Sequence, residues 1–419
     1  MVRPPRLRVD CFALPPGVQW TSVEDALMHL KANLAPVTVV ERVPAGRAAG
    51  RILAAPAIAA RDNPPAANAA VDGYAFAHAA TGEGDNILPL VPGRAAAGVP
   101  FTGWVPEGHA VRILTGAVLP EGTDTVEMQE NVTVEEGRIA FRGPVRHGVN
   151  VRRKGEDVTR GKVLFPAGTR LRFNDIPLLV AAGLGEVPVF ARLRVGVLST
   201  GDELKAPGSP LGPGQIHDIN RPMLLTLVER WGHEAVDLGH APDRREVVEA
   251  LLDRAAGEVD AILTSGGASA GDEDHLSALL REKGQRHIWR IAIKPGRPLA
   301  FGLWQGVPVF GLPGNPVAAF VCALVFGYPA LARLAGGTWP RPEGSLLPAA
   351  FAKRRKAGRS EFLRARLGAD GRVQVFRSEG SGLVSGLSWA NGLVHLPSEG
   401  NDIAPGDPVN FLPWSAFGL

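Results

Sequence analysis

From Arg192 to Gly336 the sequence alternates strand-length apolar runs with helix-length amphipathic segments, and no other feature restricts the fold as much. LRVGVLSTG (193–201), EAVDLG, DAILTSGG and VPVFGLPG have the apolar character of buried strands. RPMLLTLVERWG, DRREVVEALLDRAAG and DEDHLSALLREKG fall between them with helical spacing. HIWRIAIKPG and LAFGLW add two further strands, and NPVAAFVCALVFGYPALARLAG closes the region as a long apolar helix. Such a βαβα succession implies a mostly parallel sheet covered by helices on both faces. The expected helix ends are Asn220 and Asp243 as N-caps, Gly232 and Gly257 as stops, and Asn315 as N-cap before Pro316 at the first helical position.

Outside this region the texture is different. The 51 Gly and 36 Pro among 419 residues imply many short turns. WTSVEDALMHLKANL (20–34) predicts an amphipathic helix capped by Thr21 or Ser22, followed by an extended stretch to 62. Residues 71 to 190 read as short strands between Gly/Pro turns, with one short helix from Asp175 to Ala182. After Gly336-Gly337 the helices stop, and the remainder reads as all β. The resulting fold class is multidomain α/β plus β. It comprises an extended N-terminal domain (1–64 and 147–191), a β-rich insert (65–146), a central mostly parallel α/β domain (192–336) and a C-terminal all-β domain (337–419).

Composition excludes several functions. A net charge of +3 is too small to argue for nucleic acid. Small or polar residues interrupt every apolar run of membrane-spanning length. The basic N-terminus lacks a continuous apolar core, so it does not read as a signal peptide, and a cytoplasmic protein is expected. Cys11 and Cys322 fit two thiols in a reducing compartment, with a disulfide as the alternative. No Cys/His cluster has zinc spacing. The run KRRKAGR (353–359) is expected to be a solvated loop, since it holds no aromatic residue for base stacking.

In open α/β sheets, ligands sit at the carboxyl ends of the strands. LSTGDEL, TSGGASAGDEDH and GLPGNPV all fall there. Free N–H groups at helix starts, approached through glycine, hold phosphate-like anions. Taken singly, Gly201 could be a plain turn, Gly266-Gly267 close packing and Gly314-Asn315 an ordinary cap. Three such loops on one sheet edge favour a site. TSGGASAGDEDH (264–275) also places Asp272, Glu273 and Asp274 beside its glycines. A phosphate and three carboxylates repel each other unless a cation lies between them. Asp202, Glu203, Asp272 and Asp274 are therefore candidate Mg²⁺ ligands, with Asp243 at another junction. Each alone would serve as a solvated first-turn acid. Arg290, Lys294 and Arg297 in WRIAIKPGRP supply positive charge, and Arg297, between Gly296 and Pro298, suits an oxyanion.

TGDEL, SGGASAG, IKPGRP and LPGNPV, in this order, resemble the molybdopterin molybdenumtransferases, the molybdenum-insertion enzymes of molybdenum cofactor synthesis. NAAVDGYAF, ILTGAVLPEGTDTVEMQE and RRKGEDV extend the resemblance over nearly the whole chain. The resemblance, which includes the equivalent domain of the scaffold gephyrin, implies a four-domain elongated homodimer. Residues near 192–336 would then resemble molybdopterin adenylyltransferase. The β-rich insert would be a lid over the partner subunit's cleft.

The resemblance also implies roles for individual residues. Asp72, Thr115 and Asp157 would reach the cleft, with Glu203, Asp274 and Asp243 as its acids. Gly266, Gly267, Ser269 and Gly271 would cradle the pterin phosphate. Arg290, Lys294, Pro298, Gly314 and Asn315 would complete the substrate side, and Arg297, Arg364 (RSEFLR) and Ser381 (EGSG) would hold molybdate. Val71 stands where Met is usual, and Ala318 where many members carry Ser. The implied reaction converts adenylylated molybdopterin and molybdate into molybdenum cofactor and AMP with Mg²⁺. A molybdopterin adenylyltransferase is a possible partner. Alternative readings are the preceding adenylylation step or a gephyrin-like scaffold. No nucleic acid or membrane partner is implied.

Overall fold

The computed structural model describes residues 20–266, 275–296 and 298–419. The chain forms two compact units, one of Arg42–Val189 and the other of Met1–Glu41 with Phe190–Leu419.

The Arg42–Val189 unit is built around a six-stranded sheet. Its spatial order is Thr125–Met128, Gly73–Phe76, Ala110–Ile113, Asp85–Ala95, Arg138–Arg142, Thr133–Glu135. Inward residues such as Ala75, Val111, Ile113 and Val126 form its core, and Phe76 stacks on Phe141 with ring centroids 5.0 Å apart. Gly73 is obligatory: a Cβ there would lie 2.0 Å from the Glu127 carbonyl oxygen on the neighbouring strand.

The second unit carries the α/β sheet. Its order is Glu234–Ala241, Arg194–Thr200, Ala261–Ser265, Val307–Leu312, Pro298–Trp304, Gln285–Arg290. The first four strands are parallel; Pro298–Trp304 runs antiparallel to them, and Gln285–Arg290 pairs antiparallel with Pro298–Trp304. Helices Arg245–Ala256 and His275–Glu282 bury Val248, Leu252, Leu279 and Leu280 against Leu198, Ile262 and Val309. Helices Asn220–Arg230 and Pro316–Cys322 form a second packed pair.

Several sequence expectations are corrected here. HIWRIAIKPG is not one strand. Gln285–Arg290 stays in the α/β sheet, whereas Ile293–Lys294 pairs in parallel with Ser360–Leu367 of the C-terminal sheet. Asn220 is the first helical residue, not the cap, and its side chain is spent elsewhere. Asp243 does not cap its helix either; Arg244 holds that position without a side-chain bond. Asn315 does sit at the N-cap position with Pro316 following, though without a side-chain hydrogen bond.

A run of spanning length does exist. Pro316–Leu334 is a 19-residue helix long and apolar enough to cross a membrane. It is a core helix, since 83% of its most apolar window is buried in the protein. A π-helical turn with all five residues buried interrupts it at Ala323–Gly327. Just before that turn, burial pushes the Cys322 thiol up to about 12.

The C-terminal sheet runs Ile293–Lys294, Ser360–Leu367, Gly392–Leu396, Pro408–Pro413, Ser345–Pro348. One short helix, Ser385–Trp389, forms within this sheet-rich region. Gly386 lets this helix lie on Arg364, whose Nη1 would be 2.6 Å from a Cβ at that position. Ser22 is the N-cap of helix Val23–Asn33, accepting from the Asp25 N–H at 3.0 Å.

Candidate active site

Parallel register brings the three glycine loops together. Ser199 pairs with Ser265, and Ser265 with Leu312, so Gly201, Gly266 and Gly314 follow the ends of three adjacent strands. Gly266 has φ +92°, and a Cβ there would lie 2.6 Å from the Thr200 carbonyl oxygen. The same hypothetical atom on Gly314 would be 3.8 Å from the Gly266 Cα, so these loops touch. Close by, the Ser199, Thr200 and Thr264 hydroxyls and the Asn220 Oδ1 are buried and have no hydrogen-bond partner among the described residues. Such groups are costly to leave unpaired, and a polar ligand at this edge could satisfy them.

Asn220 is the residue that sequence reasoning missed. Its Nδ2 donates to the Ser265 Oγ at 2.7 Å and to the Gly314 carbonyl at 2.6 Å. A carbonyl only accepts, so the amide orientation is set. One buried side chain thereby clamps the second glycine loop to the third. The residue type was visible in the sequence, but a helix-start Asn reads as a cap. Asn220→Asp should cost about 1–3 kcal/mol, because a carboxylate oxygen would face the Gly314 carbonyl. Denaturant unfolding would check this. A variant as stable as the wild-type protein would mean that the clamp contributes nothing.

The acids gather at the same edge. The Asp243 N–H donates to the Asp202 Oδ1 at 3.0 Å, and the Asp202 N–H returns to the Asp243 Oδ2 at 3.4 Å. Exposed Glu203 folds back over Gly201, where a Cβ would lie 2.4 Å from its Oε2. His240 and His275 meet the Gly201 and Asp243 carbonyls at 2.6 and 3.1 Å. Among the described residues, no group of three His, Cys, Asp or Glu could hold a metal ion. Gly267, Ser269, Gly271, Asp272, Glu273, Asp274 and Arg297 lie outside the described residues, as does Cys11.

A second cationic site lies against the C-terminal sheet. A cavity of about 220 Å³ is lined by Lys294, Lys353, Arg364, Phe376 and Glu379, among others. Arg364 is 4% exposed. Its guanidinium donates to the carbonyls of Leu383 at 2.5 Å, Ser378 at 2.6 Å and Gly380 at 3.1 Å, and lies 4.8 Å from the Phe376 ring centre. Burial lowers its pKa from the usual value.

The loop it holds reaches the third motif: the Ser381 carbonyl accepts from the Val317 N–H at 3.0 Å. Ala318 is buried beside Gly296. Arg290 is exposed and does not line the cavity. KRRKAGR is not a solvated loop throughout: Lys353 and Arg355 side chains are only 12% and 2% exposed. Arg355 reaches Glu361 at 3.3 Å. Alternation along this extended segment turns every second cation inward.

In the other unit, Asp72 and Thr115 meet directly. The Thr115 hydroxyl and N–H each donate to the Asp72 Oδ1 at 2.7 Å, holding its carboxyl below the ordinary value. Asp157 is exposed and accepts from the Asn63 Nδ2 at 2.9 Å rather than from Thr115.

A glycine-rich sheet edge with adjoining acids, joined through one loop to a pocket lined by lysines and an arginine on a β-rich region, defines a multidomain α/β plus β protein with a polar candidate site. Domain comparison matches residues 21–183 to the MoeA N-terminal region (domain I and II). Residues 196–333 match a probable molybdopterin binding domain, and 347–414 the MoeA C-terminal region (domain IV).

The molybdopterin molybdenumtransferase of Haemophilus influenzae is 38% identical over 88% of this chain and 92% of its own length. That of Synechococcus elongatus is 34% identical over 93% and 98%. The crystal structure of the molybdopterin biosynthesis MoeA protein from Pyrococcus horikoshii superimposes with a TM-score of 0.81 at 31% identity, covering 94% of this chain and 99% of that one. The chain belongs to the molybdopterin molybdenumtransferase family, and so is an enzyme of molybdenum cofactor biosynthesis.

Proposed function

We propose that this enzyme inserts molybdenum from molybdate into adenylylated molybdopterin and releases AMP. The observation that supports this most is the Ser381–Val317 bond, which joins the loop held by Arg364 to the first turn of the GNPV helix. An oxyanion in the cationic cavity would then adjoin a pterin bound along the glycine edge. Gly266, with Gly267, Ser269 and Gly271, receives the pterin phosphate; Gly314 and Asn315 close that side. Lys294, Arg297, Arg364 and Ser381 serve the molybdate side.

The donor chemistry at the acidic edge fits Mg²⁺, which needs only one or two carboxylates and takes its remaining ligands from water and phosphate. Glu203 and Asp202, with Asp272 and Asp274, are the residues that would hold it. Mg²⁺ would neutralise charge on the departing phosphate. Asp243 orients Asp202 through reciprocal bonds from each backbone N–H to the other's carboxylate. In this reading the protein is cytoplasmic and works as a homodimer, with Asp72, Thr115 and Asp157 serving the partner's cleft. A molybdopterin adenylyltransferase is a natural source of its substrate.

The test is a defined assay with purified adenylyl-molybdopterin. Molybdate-dependent AMP release is the expected result. Consumption of ATP with free molybdopterin would assign the preceding step instead, and no turnover of either would favour a scaffold. For the shared cleft, mixing inactive Asp72→Ala and Glu203→Gln proteins should restore some activity, because one cleft per heterodimer would carry both wild-type acids. Absence of recovery after verified subunit exchange would place both acids in one chain's cleft.

A further inference from the structure

The cationic cavity already contains an anion of the protein's own. Lys294, Lys353 and Arg355 converge on two carboxylates, which are held very differently. Glu361 is fixed: it lies on strand Ser360–Leu367, its side chain is 7% exposed, and it sits 3.2 Å from Lys353, 3.3 Å from Arg355 and 3.6 Å from Lys294. Glu379 lies on the loop beyond that sheet, with its side chain 42% exposed. It reaches Lys294 at 2.5 Å and also pairs with Lys353. Burial opposes its charge, but the two lysines outweigh burial and keep it ionised.

Glu379 can leave without unfolding anything. Its neighbours are pinned from below, since Arg364 binds the carbonyls of Ser378 and Gly380 on either side of it. The backbone therefore stays while the exposed side chain can turn to solvent. What it would vacate is a pair of ammonium groups beside a cavity of about 220 Å³, large enough for a small oxyanion.

We propose that Glu379 is a specificity-determining residue, an internal counter-ion that a substrate oxyanion must displace from Lys294 and Lys353. The inference rests on the reading that this cavity receives the oxyanion. A monoanion that replaced the carboxylate would exchange like charge for like and gain little. A dianion brings a second charge to the same lysines, and stronger attraction to the buried Arg364. Glu379 thus lowers affinity for every anion but rejects monoanions more completely, which matters in a medium rich in them.

The experiment is equilibrium dialysis of the full-length protein with molybdate alone, with and without nitrate as a competing monoanion. The E379Q and E379A proteins should bind molybdate about tenfold more tightly than wild type. Nitrate at a concentration without effect on wild type should now compete. Lys294→Met should weaken molybdate binding in both backgrounds. Unchanged or weaker binding in E379Q and E379A, with Lys294→Met still damaging, would overturn the role of Glu379 but keep the cavity as the oxyanion site. Binding indifferent to Lys294→Met would remove the cavity reading, and the proposal with it. Melting curves of each variant exclude loss of fold as the cause.

Discussion

Arg364→Met should destabilise the protein by about 3–5 kcal/mol and abolish molybdate binding. Three carbonyls, of Ser378, Gly380 and Leu383, would lose a charged donor at once. Removing a buried cation recovers some desolvation, which keeps the cost below the sum of three separate bonds. The loop would then no longer be held where the Ser381 carbonyl meets Val317. Arg364→Lys would keep the charge but could not span three carbonyls in one plane, and should fall between the two. Denaturant unfolding and molybdate dialysis measure the two effects separately. Stability within about 0.5 kcal/mol of wild type, together with normal binding, would show that Arg364 neither holds the loop nor serves the oxyanion.

Glu203→Gln should reduce AMP release about 100-fold at working Mg²⁺ while leaving the fold intact. Glu203 is exposed and, among the described residues, its carboxylate accepts no hydrogen bond, so little folding energy depends on its charge. What the substitution removes is a charge next to the glycine edge. Raising Mg²⁺ should recover part of the rate if the carboxylate helps to hold the ion. Single-turnover AMP release over a Mg²⁺ series would show this. Near-wild-type turnover at every concentration would take Glu203 out of the site.

Much of the architecture was legible in the sequence, for a definite reason. Strand and helix periodicities are local, and a parallel sheet can only bring the ends of its strands to a common edge. Gly201, Gly266 and Gly314 had to meet once their strands were recognised. The acids Asp202, Glu203 and Asp243 follow strands of the same sheet and had to join them. VDGYA and LTGA singled out Asp72 and Thr115 by their resemblance to known motifs; that the two hydrogen-bond directly is a tertiary fact the motifs did not state.

Other features depend on pairings between distant segments, about which local pattern is silent. Asn220 looked like a cap because residues at helix starts usually bind their own helix; here it binds Ser265 and Gly314. HIWRIAIKPG looked like one strand, but Ile293–Lys294 joins the C-terminal sheet and carries Lys294 to the ion network there. KRRKAGR looked solvated because a run of cations usually is, yet Lys353 and Arg355 turn inward to Glu361. The sequence by itself determined which loops share the sheet edge, because secondary-structure period and chain direction suffice for that. Only the tertiary structure decided which buried charges face one another, because a charge is tolerated inside only where a partner from elsewhere in the chain arrives to meet it.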